Sequence, residues 1–204
     1  MSQFRSLYLK QTQTAEHLGE KSRPWPATYS QGLPKLQTGE YSMQVRCENQ
    51  LPRGMTLKQL STLPGFTESR RVSSQAGWTY YGQWKGVSFQ TLFNLFATTH
   101  LYPWVRLETM NNEEILIERS QLMNYRLVLE CDGEPLSPLY GGPVWIHNFD
   151  YYVEYSLAHI KNIILIQGEH EYRHPHQKLG YDLQDARVKP GQYYAIHHEK
   201  IASL

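Results

Sequence analysis

Cysteine is scarce in this chain. There are two among 204 residues, Cys47 and Cys131, 84 positions apart. That spacing matches no metal motif and supplies no disulfide framework. Long apolar runs are also missing: the longest, Ile163 to Ile166, is far short of the roughly 20 residues that a bilayer helix needs. Nor does one sign of charge dominate, since 20 Lys and Arg stand against 19 Asp and Glu. Nucleic acid is therefore not an expected partner, because phosphate contacts call for clustered cations. The N-terminal stretch lacks the apolar centre of a secretory leader, and Arg70-Arg71 lies too deep in the chain to act as an export signal. The expectation is a cytoplasmic protein with no membrane contact.

Aromatic residues are abundant: 15 Tyr, 6 Phe and 5 Trp, or 13% of the chain. The hydrophobic share of 40% is lean, but rings bury large areas, so a core is within reach. The length suits one domain with extensions. Residues 1–39 are polar and broken by Pro24, Pro26 and Pro34, which reads as an N-terminal arm. Regular structure is expected over residues 40–168. Tyr41, Met43, Val45 and Cys47 alternate with polar partners, as in a half-buried strand. Thr56 can cap a short helix through Leu57 and Leu60 that ends before Pro64. Ser88 can cap another, whose Phe89, Leu92, Phe93 and Phe96 share one face. Strands are predicted at Trp104–Thr109, Ile115–Glu118, Arg126–Cys131, Val144–His147 and Asn162–Gln167, with an Asp132-Gly133 turn after the third. The continuous Ile/Leu run of the last implies burial on both faces. Residues 169–204 form a His- and Tyr-rich extension expected to pack on the same domain. Short strands with few helices, and no regular alternation of the two, give an α+β class.

Five pieces of sequence, in order, carry a resemblance. They are Met55-Thr56-Leu57-Lys58-Gln59-Leu60 with Leu63-Pro64; Arg71-Val72-Ser73-Ser74-Gln75-Ala76-Gly77-Trp78; Trp84-Lys85-Gly86-Val87-Ser88-Phe89; Asp132-Gly133-Glu134-Pro135-Leu136; and Tyr140-Gly141-Gly142-Pro143-Val144. Together they resemble the molybdopterin-binding domain of the sulfite oxidase type over Tyr41 to Gln167. The resemblance implies a mixed β-sheet scaffold with few short helices. It also implies a molybdenum–pterin cofactor held by a cysteine thiolate, with oxidoreductase activity. The shared pieces have scaffold readings too: Trp84-Lys85-Gly86-Val87 as a strand end and turn with close backbone approach, and Gly141-Gly142-Pro143 as a bend whose glycines take positive φ.

At the positions that carry the chemistry, this sequence departs from the family. Ser74 stands where the family has its metal-ligating cysteine, a soft donor suited to molybdenum. Cys47 and Cys131 are too distant to replace it. Trp145 stands where the family's arginine holds the anionic end of the pterin; an indole has one N–H and no charge. Ala158 falls at a family lysine position, with Lys161 three residues on. Losing two such charged hydrogen bonds, at about 1.5–3 kcal/mol each, weakens affinity by roughly 10²–10⁴-fold.

The cleft candidates are thus Ser74, Trp78, Gly142, Trp145 and His147. His147, two residues after Trp145, faces the same side of its strand; it either lines a pocket with Trp145, Trp78 or Tyr140 or packs among aromatics as a hydrogen-bonded imidazole. Ser74 lacks the G-x-S-x-G context of a hydrolase nucleophile. His170, His174 and His176 can offer three imidazoles to a metal ion, or simply be a polar loop. Arg70-Arg71 reads as a solvated turn. The expected function is a divergent member of the scaffold without molybdenum redox catalysis, binding another small ligand or a protein partner in a remodelled cleft. The alternatives are an active molybdopterin oxidoreductase with Ser74 at the ligand position, and a metal-binding protein built on the histidine loop.

Overall fold

The computed structural model describes residues 41–75, 77–96, 99–168 and 194–195. The expected N-terminal arm and most of the C-terminal extension, including His170, His174 and His176, lie outside the described residues. Among the described residues no helix is long and apolar enough to cross a membrane.

Two sheets build the domain. In the first, β1 (Ser42–Cys47) pairs in parallel with β10 (Ile160–Ile166) and antiparallel with β2 (Arg53–Thr56). Beyond β10 lie β5 (Trp104–Thr109) and β6 (Glu114–Glu118), giving the order β2-β1-β10-β5-β6. The alternation read at Tyr41–Cys47 is present: Met43, Val45 and Cys47 are buried, while Gln44 and Arg46 are half-buried. Ile163 to Ile166 are all buried, as their unbroken apolar run implied.

The second sheet is organised by β4 (Trp78–Ser88), an 11-residue strand. One edge pairs with β3 (Phe66–Ser73). The other pairs with β7 (Arg126–Cys131) and, further back, with β11 (Tyr194–Ala195) in parallel. On its far side β7 carries β8 (Glu134–Pro135) and β9 (Trp145–His147). The Asp132-Gly133 turn between β7 and β8 has φ of 52° and 78°, the pair of positive values a tight type I′ hairpin needs.

Among the described residues, three short α-helices join the strands. Thr56 caps α1 (Leu57–Ser61) in a full capping box with Gln59, and Ser88 caps α2 (Phe89–Phe93) by accepting the Thr91 N–H. Each cap satisfies an N–H that has no partner inside the helix. Phe96 lies just past the end of α2 yet still packs against the core. The third, α3 (Arg119–Leu122), leads into β7. The α+β expectation stands, with strands dominant.

Two local expectations are corrected. Arg70-Arg71 is not a turn and Trp84–Val87 is not a strand end: β3 and β4 run extended through both, pairing from Phe66 with Gly86 to Ser73 with Thr79. Non-local pairing sets the conformation where local signals are weak. Of the two glycines expected at positive φ, only Gly141 has it, at 94°. Gly142 precedes Pro143 through a cis bond and is needed for space, because a Cβ there would sit 1.8 Å from the Leu136 carbonyl oxygen.

Each face of the second sheet has its own apolar cluster. Val87, Leu127, Leu129 and Ile146 face the first sheet and join its core. Trp78, Tyr80, Trp84, Val128 and Trp145 face the other way. Where β4 crosses β7, Gly86 lets the backbones meet, since a Cβ would lie 1.9 Å from the Leu127 oxygen. Gly86→Ala is therefore expected to destabilise the fold by at least about 1–3 kcal/mol, read as a lower urea midpoint at unchanged slope. An unchanged midpoint would contradict this contact.

Candidate functional site

Ser74 follows β3 and opens the turn into β4. Its N–H donates to the Trp78 carbonyl at 2.9 Å and its own carbonyl accepts from Gly77 N–H at 3.0 Å. Gly77 has φ of 89°, a conformation that costs glycine little. The turn leaves the Ser74 side chain facing residues 148–159, where Val153–Tyr155 form one 3-10 turn. There the Ser74 hydroxyl donates to the Glu154 carboxylate. The second oxygen of that carboxylate accepts the Gln75 N–H at 3.2 Å, and the Gln75 amide reaches the Tyr155 hydroxyl at 3.4 Å. Ser74 is buried, at 3% exposure. Hydrogen bonds to an ionised acceptor are the stronger kind, so this carboxylate ties the 148–159 segment to the end of β3.

Trp145 and His147 project from the same face of β9. Their rings stack at 4.4 Å with an 8° interplanar angle. Trp84 packs on Trp145 at 5.5 Å, and Phe149 closes on both Trp84 (5.8 Å) and His147 (5.1 Å). Trp145 is 3% exposed and His147 is fully buried. Among the described residues, neither His147 ring nitrogen nor the Trp145 indole N–H has a hydrogen-bond partner. Burial pushes the His147 pKa down to about 3, because a low-dielectric surround disfavours the charged imidazolium. His147 is packed between the rings of Trp145 and Phe149. Trp78 and Tyr140 belong to the same apolar cluster as Trp145.

The other residues that the sequence analysis singled out lie elsewhere. His159, at φ 56°, contacts the Pro138 carbonyl through Nε2 at 2.8 Å and the Asn111 amide through Nδ1 at 3.3 Å. That arrangement fits a neutral ring donating from Nε2 and accepting at Nδ1, and burial lowers its pKa. Ala158 is buried, and Lys161 lies exposed on β10. Both cysteines are buried and unbridged, Cys47 in β1 and Cys131 in β7. No cluster of metal-ligating side chains occurs among the described residues.

An open cavity of about 570 Å³ adjoins Phe149. Arg71, Met123, Asn124, Arg126, Asn148, Asp150 and Tyr151 complete its wall. Sequence reasoning missed it, along with Glu154. Arg126 was legible only as the first residue of a strand, and Glu154 sits in no motif.

This arrangement of strands has a known counterpart. The sulfane dehydrogenase SoxCD from Paracoccus pantotrophus superposes with a TM-score of 0.57 over 67% of this chain, at 13% identity. The chain shares the fold of that protein over the matched region. At that identity the likeness concerns architecture, and the match spans 41% of the SoxCD chain. No protein-family profile and no curated protein matches the sequence.

The buried imidazole makes stability depend on pH. Its folded-state pKa of about 3 lies below the unfolded value of about 6.5, so the unfolded chain takes up the proton first. The stability contribution is complete above about pH 6.5 and falls as pH drops toward 3, by at most about 1.4 kcal/mol per pH unit. His147→Phe keeps a ring in the stack and is expected to remove that share of the slope, measured by urea unfolding at pH 7 and pH 5. Equal slopes in the two proteins would show that His147 is not the group that titrates.

Proposed function

We propose that this protein uses the molybdopterin-domain scaffold without molybdenum redox chemistry, and that it serves as a small-molecule binding protein. The observation that carries the reading is the Ser74 hydroxyl engaged by the Glu154 carboxylate. In the family resemblance, that position supplies an anionic sulfur to the metal. Here a hard hydroxyl is already donating to a carboxylate. A thiolate placed there would face the negative charge of Glu154, and like charges in a buried site repel strongly.

The pterin side points the same way. Trp145, at the family's arginine position, is buried against Trp84 and stacked on His147. On this reading, an uncharged ring stack replaces the cationic fork that the resemblance would put at this position. The residues present therefore do not fit a molybdenum–pterin group, and no catalytic step is assigned through it. The cavity beside Phe149, lined by charged and amide side chains, falls within the size range of small-molecule sites. It is where this reading places the ligand.

The test is elemental analysis of full-length protein produced in a host that makes molybdopterin. Molybdenum far below stoichiometric is expected, with an ultraviolet–visible spectrum showing only tyrosine and tryptophan. The double variant Ser74→Cys, Trp145→Arg is expected to leave molybdenum content unchanged, because Glu154 stays in place. About one molybdenum per chain in the unaltered protein would overturn the proposal and favour ligation by Ser74.

A further inference from the structure

The pairing of β7 with β9 sets Arg126 directly opposite His147. Directly opposed residues project from the same side of a sheet, so Arg126 shares the face that carries the Trp145–His147 stack. The aromatic cluster ends there and the open cavity begins, with Phe149 belonging to both. Arg126 is therefore a cation at the boundary between a dry stack and a wet pocket.

Its guanidinium is held in place. Nη1 donates to the Met123 carbonyl at 3.3 Å and to the Tyr125 carbonyl at 3.2 Å. The Phe66 ring lies 5.9 Å from the guanidinium carbon, within the range of a cation–π contact. Among the described residues no carboxylate pairs with Arg126, and its Nε and Nη2 have no acceptor. Two neutral carbonyls thus orient a charged fork without neutralising it.

The neighbouring walls add donors. Asn148 is buried, and its side-chain oxygen accepts the Asp150 N–H at 3.0 Å. That bond fixes the amide orientation, and the NH₂ end has no partner among the described residues. Asn124 supplies a second amide, and Arg71 a second guanidinium from β3. The carboxylate on this wall, Asp150, is within electrostatic reach of Arg70, and Arg70 is in turn bonded to Glu68 at 2.8 Å.

From this placement we infer that the cavity binds the oxyanion of a small molecule, a phosphate or a carboxylate, with the Arg126 fork as the principal contact and the amides of Asn124 and Asn148 beside it. Planar bidentate geometry suits both headgroups. Met123, Phe149 and Tyr151 offer apolar surface to the remainder of the ligand. The inference rests on the binding-protein reading and names its ligand class.

Calorimetric titration of the full chain with inorganic phosphate, and separately with citrate, at ionic strength balanced with chloride, is the test. Saturable binding of at least one anion is expected, and the better binder identifies the headgroup. Arg126→Gln is expected to weaken it by about tenfold or more, the cost of one charge-assisted hydrogen bond. Arg126→Lys is expected to recover part of the loss, since it keeps the charge without the fork. Because Arg126 also braces two carbonyls, exposed Asn124→Asp provides a second variant that adds repulsion without removing a structural contact. Absence of saturable binding to both anions, or unchanged affinity in folded Asn124→Asp, would overturn the inference. Molybdenum content reads the parent proposal separately: a metal-free protein indifferent to both anions would leave that proposal standing and remove only this one.

Discussion

One carboxylate joins the end of β3 to the 148–159 segment. Glu154 receives the hydroxyl of Ser74 and the N–H of Gln75, two donors from the end of one strand and the start of a turn. In doing so it fastens the 148–159 segment across the second sheet. The same segment is held as well by the backbone bridge between Ile146 and Leu157 and by ring contacts of Phe149 with Phe66 and of Tyr151 with Tyr125. Hydrogen bonds to an ionised group are worth more than neutral ones, and leaving one end unpaired in a buried site is costly. The contact is therefore both a structural tie and an occupied site.

The second sheet divides its labour by face. Odd-numbered Leu127 and Leu129 of β7 pack into the core shared with the first sheet. Even-numbered Val128 joins the aromatic cluster, and Arg126 continues that face out to the cavity. The two-residue period of a strand converts a short run of sequence into one face toward the shared core and one toward the aromatic cluster and cavity. Burying His147 with no hydrogen-bond partner among the described residues is the cost of this arrangement. The ring remains neutral, and it exchanges the solvation of a polar group for stacking on Trp145.

Much of the scaffold could be read directly from the chain. Alternation at Tyr41–Cys47, the caps Thr56 and Ser88, the Asp132-Gly133 turn and the unbroken Ile163–Ile166 run are local patterns with local physical causes. The tight approach at Gly86 was legible as well, because a glycine among larger residues in a strand marks a close backbone approach. The β3–β4 hairpin was not. Its residues mix charge, glycine and aromatics, and they become strands only because each pairs with the other across a turn.

The site shows the same division more sharply. Sequence alone determined which residue types stand at the positions that the resemblance singles out: a hydroxyl at Ser74, an indole at Trp145, a methyl at Ala158. Those identities are fixed by covalent structure and limit what the positions can ligate. Only the tertiary structure decided that Glu154, 80 residues on from Ser74, would be its partner, that Trp145 would stack on His147, and that Arg126 would be oriented by two carbonyls at a cavity. Such contacts depend on strand register and loop closure, and these are set by the whole set of pairings at once, so no local stretch of the chain encodes them.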